Sequence, residues 1–102
     1  MPPISDQALR ELRGPAALVM APFDNDLSLN LDALRTNIQF MLDAGMETGK
    51  GFMISPCGSG EYTSLSPSEH RDMVQVSVEA TAGRLPVVAG AASLNLDDVI
   101  AQ

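Results

Sequence analysis

Alternating strands and helices of a parallel α/β fold are what this sequence predicts, on three observations. Short apolar runs open near Ala16, Gly51 and Leu85, one unit about every 35 residues, the interval a repeating β/α architecture requires. Each run gives way to a helix-start residue, at Asn30, Ser66 and Asn95, of the type that caps exposed backbone N–H groups. Between the second run and its helix lies Pro56-Cys57-Gly58-Ser59-Gly60-Glu61-Tyr62, a glycine-rich loop where parallel α/β folds bind ligands.

The elements follow in order. Residues 1–14 predict a short amphipathic turn over residues 5–13, with Leu9 and Leu12 turned inward and Gly14 closing it, placed to plug one end of the fold. The first β/α unit, 15–45, opens with a strand over 16–20 that ends at Ala21-Pro22-Phe23. A polar turn, Asp24-Asn25-Asp26, leads to a helix with Leu31, Leu34, Ile38, Met41 and Leu42 on one buried face and Gly45 at its C′ position. The second unit, 50–83, begins with Gly51-Phe52-Met53-Ile54-Ser55, which reads as a strand buried on both faces. Ser66 as N-cap, Pro67 at the first helical position and Glu69 three beyond the cap form a capping box. The helix behind it carries Met73, Val74, Val76 and Val78 and stops at Gly83. The third unit, 85–102, has the strand Leu85-Pro86-Val87-Val88-Ala89, then Gly90, then a helix capped by Asn95 with Asp97 and Asp98 in its first turn. Three strands leave two sheet edges bare and cannot close a barrel, so the sequence reads as the opening portion of a larger fold.

Composition excludes several functions. The 102 residues carry a net charge of −7 with only six Lys and Arg, so no basic patch exists to neutralise nucleic-acid phosphates. The longest apolar runs fall far short of a membrane span, and the first residues lack the basic and apolar regions of a signal peptide. Cys57 is the only cysteine, which excludes an internal disulfide and suits a cytoplasmic protein. One Cys and one His are too few for a zinc site. Asp24-Asn25-Asp26 lacks the glycine and twelfth-position glutamate of a calcium loop and reads as a turn. A dinucleotide fingerprint starting at Gly58 would need glycine where Thr63 stands.

The loop has a chemistry of its own. Gly58 and Gly60, on either side of Ser59, let bare backbone N–H groups approach an anion, so the loop reads as a carboxylate cradle. Glu61 either holds that loop or favours the dipole of the helix just downstream, and a structural role is preferred. Cys57 and His70 are read as a small loop cysteine and a solvated helix histidine rather than a thiol–imidazole pair. The six methionines are read mainly as core filler.

Ala17-Leu18-Val19-Met20-Ala21-Pro22-Phe23, Gly58-Ser59-Gly60-Glu61-Tyr62-Thr63-Ser64-Leu65-Ser66 with Glu69-His70-Arg71, and Leu85-Pro86-Val87-Val88-Ala89-Gly90 together resemble the dihydrodipicolinate synthase and N-acetylneuraminate lyase family. The resemblance implies the N-terminal three β/α units of a (β/α)8 TIM barrel of roughly 300 residues. It implies a class I, Schiff-base-forming aldolase, lyase or dehydratase that acts on pyruvate or another 2-oxo acid, needs no metal or organic cofactor, and is a homo-oligomer when complete. The family's Schiff-base lysine lies on a sixth strand and its shuttle tyrosine on a fourth, so the 102-residue chain alone is expected to be inactive, Lys50 being its only lysine. By the same resemblance the backbone of Gly58, Ser59 and Gly60 holds the substrate carboxylate and the Ser59 hydroxyl joins a proton relay. Gly58 stands where the family usually has a first hydroxyl, and Cys57 where it has its first glycine. Residues 46–50 look inserted, and Pro67 replaces one of two histidines of which His70 matches the other. These departures point away from lysine biosynthesis and towards either an uncharacterised branch or a sugar-acid-processing one. The rival readings are a non-catalytic binding or interaction module and a small self-contained α/β binding domain.

Overall fold

The structure, a computed structural model, describes residues 4–57, 64–91 and 96–101. Among these, the elements are α1 (Asp6–Glu11), β1 (Ala16–Leu18), α2 (Leu31–Asp43), β2 (Phe52–Ile54), α3 (Pro67–Thr81), β3 (Val87–Val88) and α4 (Leu96–Ala101). The strands form one parallel sheet in the order β1-β2-β3, with Ala17 beside Met53 and Met53 beside Val87. Each flanking ladder starts at a proline, whose carbonyl accepts although its nitrogen has no hydrogen to donate. Phe52 N–H donates to Pro15 at 3.1 Å and Met53 N–H to Pro86 at 2.9 Å. The strands are shorter than the apolar runs, yet pairing continues past them, since Val19 N–H reaches Ile54 and Ser55 N–H reaches Val88.

Helix boundaries follow their caps. Asn30 accepts from the Ala33 N–H and starts α2. Ser66 and Glu69 exchange both bonds of the capping box at the start of α3, with Pro67 in its first turn. The Ser66 backbone N–H, and then its hydroxyl, hold the Glu69 carboxyl below its ordinary pKa. At the other end of α3 the left-handed residue is Ala82 (φ 48°), followed by Gly83 (φ 78°).

One face of the sheet is covered. Val19, Ala21 and Met53 pack with Leu34, Ile38 and Leu42 of α2, Met73 and Val76 of α3, and Leu85 into a single core. The expectation of a second strand buried on both faces is therefore corrected. Side chains alternate along a strand, and the alternate residues Leu18 and Met20 are 53% and 62% exposed while Phe52 and Ile54 are only partly covered. The methionines divide accordingly: Met53 and Met73 are fully buried, Met41 and Met46 flank the core, and Met20 faces solvent.

Two helix faces also differ from expectation. Leu9 is exposed and α1 buries nothing, so the opening turn does not plug the fold. On α3, Val78 is exposed, and the positions facing the sheet include Ser77 and Thr81. These are tolerated because each hydroxyl has a partner. Ser77 Oγ donates to the Met73 carbonyl at 2.7 Å, which leaves it to accept from Ser55 Oγ, also at 2.7 Å and fully buried just past β2. Thr81 Oγ1 donates back to the Ser77 carbonyl.

Candidate functional site at the carboxyl ends of the strands

Parallel neighbours in sequential order bring the carboxyl ends of β1, β2 and β3 to one edge. Backbone groups tie them there. Gly90 N–H donates to the Pro56 carbonyl at 2.9 Å. Cys57, buried at 5% exposure, directs its thiol to the Val19 carbonyl at 3.4 Å. A Cβ on Gly90 would overlap the Pro56 carbonyl oxygen, so glycine is required there by closeness. The Ser55–Pro56 peptide is cis.

Beyond β1 the chain turns through residues 24–28. Asp24 N–H donates to the Ser28 carbonyl and Leu27 N–H to the Asp24 carbonyl, while Phe23 pairs with Leu29. The carboxylates are spent on the turn: Asp26 accepts from Ser28 Oγ at 2.6 Å and from its N–H at 3.0 Å, and Asp24 accepts from Asn30 Nδ2 at 2.9 Å. The Ser28 hydroxyl, then its N–H, lower the Asp26 pKa. The expected turn is thus present.

His70 is where the structure departs from the sequence reading of the site. It is half-buried, not merely solvated, and Nε2 lies 2.7 Å from the Gly90 carbonyl oxygen. A carbonyl only accepts, so Nε2 is the donor. The first turn of α3 is thereby fastened to the end of β3. The signal in the sequence was a histidine one residue past a capping box, which places it beside the strand ends. Nothing in the periodicity named its partner. The Ser55–Ser77 pair was missed for a similar reason, a serine in each of two apolar patterns being the only hint.

Of the candidate site residues, Gly58, Ser59 and Gly60 lie outside the described residues, as do Glu61, Tyr62, Thr63, Ala92 and Asn95. What is described are the anchors on either side: Cys57 at the strand edge, and Ser66 and His70 on α3. Phe23, Ser55, Pro56, Cys57 and Gly90 follow their strands towards this shared edge. Lys50 precedes β2 and so belongs to the opposite end, where its ammonium pairs with Glu47 at 3.0 Å, both side chains being largely exposed. A groove between α2 and α3, lined by Leu31, Arg35, Asp72, Gln75, Val76 and Glu79, contains none of the candidate residues.

Comparison with known proteins places this geometry. Residues 11–102 match the model of the dihydrodipicolinate synthetase family. A probable 5-dehydro-4-deoxyglucarate dehydratase of Streptomyces avermitilis is 42% identical over 78 residues, which cover 76% of this chain and 22% of the relative. A 4-hydroxy-tetrahydrodipicolinate synthase of Methanosphaerula palustris is 38% identical over 90 residues, covering 85% of this chain and 29% of the relative. Among solved structures, dihydrodipicolinate synthase from Aquifex aeolicus superposes with a TM-score of 0.75 at 25% identity, over 88% of this chain and 29% of the other. N-acetylneuraminate lyase from Proteus mirabilis gives 0.78 at 21% identity, over 89% and 30%, a likeness of fold alone. The chain thus spans less than a third of the length of these proteins. Its open three-stranded sheet matches the N-terminal part of a TIM barrel. With the family model matching residues 11–102, this chain belongs to the dihydrodipicolinate synthetase family.

Proposed function

We propose that the chain supplies the carboxylate-binding loop of a Schiff-base-forming lyase or dehydratase whose substrate is a 2-oxo acid. The observation that carries this reading is the convergence of three strand ends and the amino terminus of α3 on one edge, next to the point where Gly58 departs from Cys57. In a (β/α)8 barrel that edge is where substrates bind. Backbone N–H groups of Gly58, Ser59 and Gly60 hold the carboxylate, and the Ser59 hydroxyl passes a proton. The dehydratase named for 5-dehydro-4-deoxyglucarate, an oxidised sugar acid, supports the sugar-acid branch over lysine biosynthesis. The nucleophilic lysine comes from strands beyond residue 102, because Lys50 is exposed, ion-paired and at the wrong end of β2.

Borohydride reduction in the presence of pyruvate tests this. The 102-residue chain should remain unlabelled, whereas a protein in which this chain is followed by the rest of a barrel should trap pyruvate on a lysine outside it. A pyruvyl adduct on Lys50, found by mass spectrometry, would overturn the reading.

A further inference from the structure

We propose that the buried Ser55–Ser77 pair selects the rotational setting of α3 on the sheet, a choice that the apolar pattern of the helix leaves open. Successive helix positions lie about 100° apart, so Met73 and Val76 share one face of α3 while Val74 and Val78 share another. With two apolar residues on each, hydrophobic burial discriminates poorly between the two settings. In the structure Met73 and Val76 face the core, at 0% and 4% exposure, and Val78 is 54% exposed. A polar contact makes the choice. Among the described residues the buried polar side chains are those of Ser55, Ser77 and Thr81. The Thr81 hydroxyl is satisfied on its own helix, at the Ser77 and Val78 carbonyls, in either setting. Ser77 reaches off the helix, to Ser55 Oγ at 2.7 Å. Ser55 is a fixed peg, because its backbone N–H is tied to the Val88 carbonyl at 2.9 Å. Turning α3 towards Val74 and Val78 would leave the fully buried Ser55 hydroxyl without a partner, and an orphaned buried hydroxyl is costly. Buried polar contacts fix register in coiled coils by the same asymmetry. The same turn would also carry His70 away from the Gly90 carbonyl, which it meets at 2.7 Å. The pair therefore governs what the first turn of α3 presents to the strand ends.

The test removes both hydroxyls together, as Ser55→Ala with Ser77→Ala, so that neither is left orphaned. Methyl-labelled valines are read by NMR in the presence of a soluble paramagnetic agent. In the unsubstituted chain the Val76 methyls should be protected and those of Val78 broadened. In the double variant a second set of valine resonances should appear, or replace the first, with Val78 protected and Val76 broadened. A single set in which Val76 stays protected and Val78 stays broadened overturns the proposal, whatever the variant does to stability. A pair that merely adds stability would move the melting temperature and leave this pattern alone. Should the double variant fail to fold, Val78→Lys is added to it, because a lysine there penalises only the alternative setting. Recovery of one set with Val76 protected supports the proposal, and failure to recover it overturns it.

Discussion

Ser59 and His70 differ in what the sequence alone says of them. Ser59 is singled out by the sequence because glycines on either side suit a loop for backbone donation, and it lies outside the described residues. The contact of His70 was not legible, because a histidine on a helix carries no sign of the carbonyl it will meet from a strand 20 residues later. In a complete enzyme, Ser59→Ala should lower kcat far more than it raises KM, since backbone N–H groups still hold the carboxylate while the relay hydroxyl is lost. General acid–base assistance of this kind is worth about 10²–10⁴-fold, so steady-state kinetics showing less than a threefold loss would reject the relay.

Helix starts were the most readable elements. Asn30 and the Ser66–Glu69 box act as caps in the structure because capping is local chemistry, settled within four residues. Helix faces were less readable, because periodicity ranks Val78 above Ser77 while the sheet selects by direction. The Ser55–Ser77 pair that results has an asymmetry open to measurement. Ser77→Ala leaves the Ser55 hydroxyl fully buried without its partner and should cost about 1–3 kcal/mol. Ser55→Ala should cost less, since Ser77 still donates to the Met73 carbonyl. The double variant should cost less than the two singles combined, as expected for groups in direct contact. Urea unfolding at low chain concentration measures all three, and strictly additive costs would show that the pair is not coupled.

At the scale of the molecule, parallel order and sheet direction were legible from the spacing of the three apolar runs, because a β/α repeat of that interval admits few other arrangements. Coverage was not legible. An apolar run such as 51–55 reads the same whether one face or two are packed, and here only the face carrying Val19 and Met53 is covered. The other face presents Leu18 and Met20 to solvent, and uncovered apolar sheet surface promotes association. Replacing both by lysine should shift the chain from concentration-dependent self-association to a monomer in light scattering. A wild-type chain that stays monomeric at every concentration and melts in one sharp transition would contradict this.

The joints between the strand ends use acceptors that mutation cannot delete. The carbonyls of Val19, Pro56 and Gly90 receive the thiol, the Gly90 N–H and the imidazole respectively. Every amino acid brings the same carbonyl, so sequence drift at Val19 or Pro56 leaves the acceptor in place, and only Gly90 is held to its identity by crowding. The dependence on identity falls on the donor side, where the Cys57 thiol and the His70 imidazole are side chains. Substitution therefore reaches these joints through Cys57, His70 and Gly90, and hardly at all through the residues that accept.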